Sequence, residues 1–584
     1  MTKLLKLIST GILLVFIPAS TAWAGSKLDA VGDQIGLDFI RIVSIAITFA
    51  IGFAIGWLFS DKGRTFRRYV GLAILALIAL NILTSNSMIS HGLSSLVTFF
   101  AFFIGIGLGF GSMVKSIFGK PTTFGSAEWA DMKHIKNNDL IGTNGFRLGT
   151  FTTKRESAAL NYARDRHLLT VAPTRSGKGT TAIIPNLLTY EGSVLVIDPK
   201  GENALITAQR RKDMGQKVFI VDPWGIASDT DFNTARFNPL DWLVKGDVDI
   251  TENAMLLADA LIVKEGNGDQ FWVEEAKALL QGLILYVATE ESEEGQCHLG
   301  RVRDLLLLDG EDMPELFQRM ANSAHHIVAS TGARCLQKEE KLLANVVASA
   351  QAQTHFLDSA RIRESLSTSD FKFEDLKTSK VSIFLVLPSD RLHTFSRWLR
   401  LLIQQAITVN ARNIELKPEK PVLFLLDEMP ALGRLAMVEQ AYGLMAGFGI
   451  QLWGIVQDLS QLKKIYGDGW ETFIGNSGVI QYFGSRDRIT ADYFSALCGV
   501  STVWNLSYAF GRVFGFSSQG SSSSYSQTET TSAVQRKLAY ADELMRLPHN
   551  KQLILVENLN PISAHKQPWF NDPELKNLGN NLHK

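Results

Sequence analysis

A chain of 584 residues is too long for one domain and suggests about three or four. Lys+Arg and Asp+Glu number 58 each, so net charge makes no case for a nucleic-acid binder, and any basic surface must be local. The three cysteines, Cys297, Cys335 and Cys498, show neither zinc spacing nor a disulfide framework, which fits a reducing compartment for most of the chain.

Lys3 and Lys6 precede an apolar run over 7–17, then Pro18 and the small-residue pattern Ala22-Trp23-Ala24. This order is that of a bacterial secretory signal over 1–24, with cleavage expected after Ala24 because the apolar run is short for a span. The competing reading is an uncleaved first transmembrane helix. Apolar stretches at about 42–59, 69–83 and 96–114 then predict a membrane anchor over 25–120 with about three spans. Their continuous apolarity argues against a soluble helical bundle. The loop 61–68 carries Lys62, Arg64, Arg67 and Arg68, whereas the next loop has neither lysine nor arginine. Basic residues mark the cytoplasmic side, so the first loop is predicted inside, the second outside, and everything from Lys115 and Lys120 onward inside. The expected location is the bacterial inner membrane, multi-pass, with the bulk of the chain in the cytoplasm.

The stretch 167–188, HLLTVAPTRSGKGTTAIIPNLL, reads as a short buried strand, a turn-prone segment and a helical run beginning near Gly179. That is the layout of a nucleotide phosphate loop. Backbone N–H groups wrap an anionic phosphate chain, the helix N-terminus adds a favourable dipole, and a lysine places its charge on the terminal phosphates. Thr174, Arg175, Ser176, Gly177, Lys178, Gly179, Thr180 and Thr181 are therefore the expected ATP-binding residues. Two positions depart from the G-x-x-x-x-G-K-S/T consensus. Ala172 replaces the first glycine, and Gly179 has no hydroxyl to offer Mg2+, so Thr180, Thr181 or water must supply that ligand.

Next come SVLVIDPKGE (193–202) and KVFIVDP (217–223), both β-branched apolar runs closing on Asp-Pro. Further runs at 381–388, 421–428, 451–457, 478–484 and 552–557 alternate with helical stretches. They predict an α/β fold with a large, mostly parallel sheet whose strand ends face a site. Between 250 and 366 the strand signal gives way to helical spacing. An all-α domain is thus expected as an insertion between nucleotide-binding parts at 121–249 and 367–584.

The second nucleotide motif is VLFLLDE over 422–428. An apolar strand emerging into two acids suits metal-assisted phosphoanhydride hydrolysis: Asp427 is expected to hold Mg2+, directly or through water, and Glu428 to polarise the attacking water. Gln457, ending the next run, is expected to sense the γ-phosphate. The segment 511–532, rich in Ser, Gly and Thr, is expected to be a mobile loop.

APTRSGKG, SVLVIDPKGE, Phe237-Asn238-Pro239-Leu240, Phe271-Trp272, LLDEMPALG and QDLSQLKKIYG resemble the TraG-type family of type IV coupling proteins. So do FGSRD with TADYFSALCG and the closing RKLAYADELMRLP and NPISAHKQPWF, in that family's order and spacing over about 120–575. The resemblance implies an inner-membrane, RecA-like P-loop ATPase using ATP and Mg2+ and forming a ring, expected to be a homo-hexamer. Such a protein delivers a relaxase complex with single- or double-stranded DNA, or protein effectors, to the channel components of a type IV secretion system. It also implies that Gly179 is tolerated in the loop and that the all-α domain serves substrate recognition.

Some relatives carry an arginine, aimed at a neighbouring subunit's nucleotide, in the helix after the Asp-Glu strand. Here the stretch 444–449 has Ala446 and no arginine. Arg486 or Arg488, following the strand at 479–483, is the expected substitute. Two other functions compete with the coupling ATPase. An FtsK-type DNA translocase should carry a basic DNA-binding module where this chain has the mixed segment WFNDPELKNLGNNLHK. A membrane receptor that binds nucleotide without motor activity would not need Lys178, Asp427 and Glu428 together.

Overall fold

The computed structural model describes residues 122–142, 145–263, 270–517 and 520–582, with scattered positions between 45 and 104. It divides into two units, Met1–Pro121 and Thr122–Lys584. In the first unit the described positions are helical, and a Cβ at Gly52 would lie 3.0 Å from the Phe102 carbonyl oxygen, a close approach that favours glycine. Among the described residues no helix is long and apolar enough to cross a membrane. The expected signal, the three spans as continuous segments and the basic loop 61–68 lie outside the described residues.

The second unit is built on an eleven-stranded sheet. In chain order the strands of this unit are β1 Phe146–Thr152, β2 Ser157–Tyr162, β3 His167–Val171, β4 Val194–Asp198, β5 Lys217–Val221, β6 Val381–Val386, β7 Val422–Leu426, β8 Ile450–Val456 and β9 Ser477–Tyr482. β10 Val500–Ser517 and β11 Gly520–Lys537 form a separate ribbon, and β12 Lys551–Val556 and β13 Ile562–His565 return to the sheet. The sheet order is β2-β1-β13-β12-β9-β3-β8-β7-β4-β6-β5. From β9 to β5 every pairing is parallel, which fits the α/β reading.

These central strands are near-continuous runs of Val, Ile, Leu and Phe because both faces are covered. Successive side chains alternate between two cores. On β7, Val422, Phe424 and Leu426 enter one core, while Leu423 and Leu425 enter the other. Fully burying such a side chain contributes about 1.5–3 kcal/mol. The first core continues without a break into the all-helical region between Ile250 and Ser365, whose Leu257, Leu283 and Val302 belong to it. The helices there run from Ile250–Leu261 to Ala360–Ser365, as the helical spacing predicts.

Two expectations are corrected. β12, expected among the parallel strands, runs antiparallel to β9, with Leu553 opposite Tyr482. A short turn, with Asn558 in the left-handed region, then joins it to β13 as an antiparallel hairpin, since such a turn cannot make a parallel crossover. The 511–532 segment is not a loop. It is the distal part of the β10–β11 ribbon, paired from Val500↔Lys537 to Ser517↔Gly520. The base of that ribbon is tied to the start of the unit: Thr502 Oγ1 accepts from the Phe124 N–H at 2.9 Å and donates to the Gly125 carbonyl at 3.0 Å.

Candidate functional site: a phosphate loop facing a carboxylate pair

β3 lies between β8 and β9, and β8 in turn pairs with β7, so the C-terminal ends of β3, β8 and β7 open side by side on one edge. The loop leaving β3 starts locked to its neighbour, since the Ala172 N–H donates to the Val456 carbonyl at 2.8 Å. Its backbone is then turned by two residues in the left-handed region, Arg175 (φ 62°) and Gly177 (φ 89°). Glycine takes that conformation freely, whereas at Arg175 it costs roughly 1–3 kcal/mol, a strain typical of ligand clamps. Beyond Lys178 the chain makes one wide turn, Gly179–Ile183, and continues as the helix Ile184–Thr189. A Cβ at Gly179 would meet nothing within 4 Å, so space does not explain the missing hydroxyl. The Thr180 and Thr181 hydroxyls donate to the Gly177 carbonyl at 3.2 and 2.8 Å, which leaves their lone pairs available.

Lys178 reaches across from β3 to the end of β7. Its Nζ lies 2.7 Å from Asp427 Oδ1 and 3.2 Å from Glu428 Oε2. From the end of β8, Gln457 Nε2 donates to Glu428 Oε1 at 2.6 Å. Four sequence-predicted residues from three adjacent strand ends thus meet in one hydrogen-bonded group. Burial works against the Lys178 charge, but the Asp427 and Glu428 carboxylates outweigh it and hold the ammonium above the ordinary lysine range. Burial likewise presses the Asp427 carboxyl upward against the pull of Lys178, and the 2.7 Å contact keeps the two as an ion pair. Glu428 itself sits at φ 64°, ψ 44°, a left-handed conformation that carries its carboxylate out of the strand direction.

At the end of the adjacent strand β4, Asp198 is wholly buried. Burial lifts its carboxyl to about 7, against hydrogen bonds from the Ala204 and Lys200 N–H groups. It fastens the start of the helix Glu202–Asp213 beside the acid pair.

The donor set fits a nucleoside phosphate with a divalent cation. The loop offers N–H groups and a lysine, the threonine hydroxyls and Asp427 can ligate a hard cation, and Ser176 has a buried hydroxyl without a partner among the described residues. Among the described residues no group of three or more His, Cys, Asp or Glu could cage a metal alone.

Arg486 and Arg488 do not join this group. Both follow β9 on the neighbouring strand end and are exposed; Arg488 pairs with Asp492 at 3.4 Å. Asp487 is taken up by the helix Arg488–Leu497, accepting from the Thr490 N–H and hydroxyl and from Ser460. Two residues near the loop went unread in the sequence. His549 Nε2 lies 3.2 Å from the Arg175 carbonyl, and Lys566 Nζ donates to the Ser176 carbonyl at 2.8 Å. Nothing local in the sequence marks either one, because they arrive from the C-terminal antiparallel strands.

Residues 128–584 match the family model described as type IV secretory system conjugative DNA transfer. Protein VirD4 of Agrobacterium fabrum is 29% identical over 475 residues, covering 78% of this chain and 67% of that one. VirD4 of Rhizobium radiobacter is 30% identical over 78% of this chain and 65% of its own length. The conjugal transfer protein TraG of Escherichia coli is 27% identical over 79% of each chain. Among solved structures, the plasmid coupling protein TrwB in complex with ADP and Mg2+ superposes with a TM-score of 0.56 at 15% identity, over 77% of this chain and 96% of that one. The likeness in fold extends to TrwB in complex with a non-hydrolysable ATP analogue, with a TM-score of 0.55.

Proposed function

The chain belongs to the type IV secretory system conjugative DNA transfer family, and from that premise we propose that it is a RecA-like coupling ATPase of a secretion or conjugation system. The observation that carries the enzymatic part is the joining of Lys178, Asp427, Glu428 and Gln457 across three strand ends. ATP would supply the phosphoanhydride to be broken, and Mg2+ would offset its charge. The loop Thr174–Thr181 would hold the phosphates through its N–H groups, with Lys178 turning from the acids towards them. Thr180 or Thr181, with Asp427, would hold the cation. Glu428, anchored on one oxygen by Gln457, would take a proton from the attacking water. Gln457 links that carboxylate to the end of β8 and so can report what occupies the loop.

Cargo recognition falls to the helical region 250–366. Two of its large side chains lie at the surface, Met255 at 62% exposure and Phe271 at 46%, and they offer apolar contacts to a relaxase–DNA complex or a protein effector. A photo-crosslinking residue at Met255, in cells carrying the whole transport system, should recover cargo that is lost when the cargo's transfer signal is deleted. Recovery of channel components alone would remove cargo binding from this region.

The remaining parts of the proposal are a multi-pass inner-membrane anchor and an active homo-hexamer. The basic loop 61–68 and the uncharged loop near Ser94 support the orientation. Cysteine at Ser94 should therefore react with an impermeant thiol reagent added from the periplasmic side, and cysteine at Thr65 should not. The reverse labelling would overturn the three-span arrangement.

A further inference from the structure

Lys566 follows β13 directly, and its backbone N–H is fixed by the Asn550 carbonyl at 2.8 Å. The residue is 7% exposed. Its Nζ ends between the phosphate loop and the end of β9: it donates to the Ser176 carbonyl at 2.8 Å and lies 4.6 Å from the centre of the Phe483 ring. Phe483 is itself held to the strand that feeds the loop, its N–H donating to the Val171 carbonyl at 3.0 Å. Among the described residues Lys566 has no ion pair with a carboxylate, and burial alone brings its ammonium down to about 8. The nearby elements carry Arg175 and Lys178 of the loop, His549 beside Arg175, His565 next to it on β13, Lys551 opposite His565 on β12 and Arg147 on β1. Asp487, beyond Phe483, is taken up by Thr490 and Ser460. Apart from Asp487, none of these groups is an anion.

A buried ammonium without a counter-ion destabilises the empty protein. A ring face and one carbonyl offset that only in part, and one carbonyl uses one of the three N–H bonds. The hydroxyl of Ser176, the residue whose carbonyl Lys566 grips, is also buried and has no hydrogen-bond partner among the described residues. An ammonium without an ion pair that grips this turn, and a hydroxyl of the turn without a partner, point to an anion as the missing partner. We propose that Lys566 is a second lysine of the nucleotide site, a positioning residue that holds the Ser176 turn and whose charge is balanced by the bound phosphates.

This proposal rests on the nucleotide reading of the loop. It has a consequence for protons: nucleoside diphosphate binding favours the charged form of Lys566, so binding takes up protons when the free enzyme has lost part of that charge. Affinity is then full below about pH 8 and falls as the pH rises above it. A range beginning at pH 7.5 lies above where histidine side chains ordinarily change charge.

The test measures Mg-ADP affinity of the full-length protein in nanodiscs from pH 7.5 to 9.5, together with thermal unfolding without nucleotide. Lys566→Met keeps the apolar stem and removes the charge. It should bind ADP about tenfold more weakly at pH 7.5, with a flatter pH dependence, while melting without nucleotide at or above the wild-type temperature. Lys566→Arg should keep the affinity and lose the pH dependence, since a guanidinium stays charged throughout. A Met variant that binds ADP like the wild type, with the same pH slope, overturns the proposal. So does one whose melting temperature without nucleotide falls along with its affinity, because that is the mark of a purely structural clamp. If the wild type binds no ADP, while the protein remains folded, the reading of the loop as a nucleotide site falls first and this proposal with it.

Discussion

Glu428→Gln should lower steady-state ATP hydrolysis by about 10²–10⁴-fold while leaving ATP bound. The substitution is isosteric, so it keeps the left-handed turn at φ 64° and an oxygen for the Gln457 amide to reach. Lys178 retains its 2.7 Å contact with Asp427. What disappears is the only property asked of Glu428, a carboxylate able to accept the proton of the attacking water. Lys178→Ala should behave differently. Among the described residues no other cation makes an ion pair with the acids, and Lys200 acts on Asp427 only from farther off, so the alanine leaves Asp427 and Glu428 facing incoming phosphate with poorly balanced charge, and nucleotide binding itself should be lost. The paired measurement is nucleotide retention by filter binding alongside phosphate release. Wild-type turnover by Glu428→Gln would remove Glu428 from the mechanism, and tight ATP retention by Lys178→Ala would remove the lysine.

The residues that meet at this site were legible because each closes, or follows in a loop from, a strand of unusual composition. β7 and β8 read as strands without ambiguity, since a run such as VLFLL is stable only when covered on both faces. Polar residues at the ends of such runs stand out, and parallel packing puts the ends on one edge. Lys178, Asp427, Glu428 and Gln457 follow from that logic. The antiparallel side of the sheet was harder to read. β1 and β2, FRLGTFT and SAALNY, are only partly buried and mix small, polar and charged residues, so periodicity gives little signal. The direction of β12 relative to β9 is set by the long connection that precedes it, through helices and the ribbon, rather than by its own residues. Lys566 reaches the loop by that same route, and its role could only come from the fold.

The ribbon shows a different kind of failure. Composition over 511–532 suggested a loop, yet Tyr508, Phe510, Phe514 and Phe516 alternate at the strand period, and Thr528, Thr530 and Thr531 are β-branched. Period, not content, was the informative quantity there. At the turn after β9, Asp487 stands between Arg486 and Arg488 in the sequence. The structure spends that carboxylate on Thr490 and Ser460 instead. Burial would raise it, but these hydrogen bonds hold it below the usual carboxylate range.

That assignment frees the arginines on either side and makes a sharper experiment possible. Arg486 is exposed at the end of the strand beside β3, with no ion pair among the described residues, and Arg488 makes only a surface contact with Asp492. Among the described residues neither touches Lys178 or the acid pair of its own chain; a group that serves a neighbouring subunit's phosphates would act instead on the next site. Alanine at the residue that acts should therefore lower turnover by about 10³-fold or more while leaving nucleotide binding close to wild type. Mixed rings then distinguish action in trans from action in cis. A subunit with Arg486→Ala keeps an intact loop, and one with Lys178→Ala keeps the arginine. Where the first receives the arginine of the second, one complete site is restored, so turnover should recover in co-assembled rings although each variant alone is inactive. Arg488→Ala is run in parallel, since the same strand end presents both. If rings confirmed to contain both kinds of subunit stay inactive for each arginine, a trans role at this turn is excluded, and the intersubunit cation must come from another strand end.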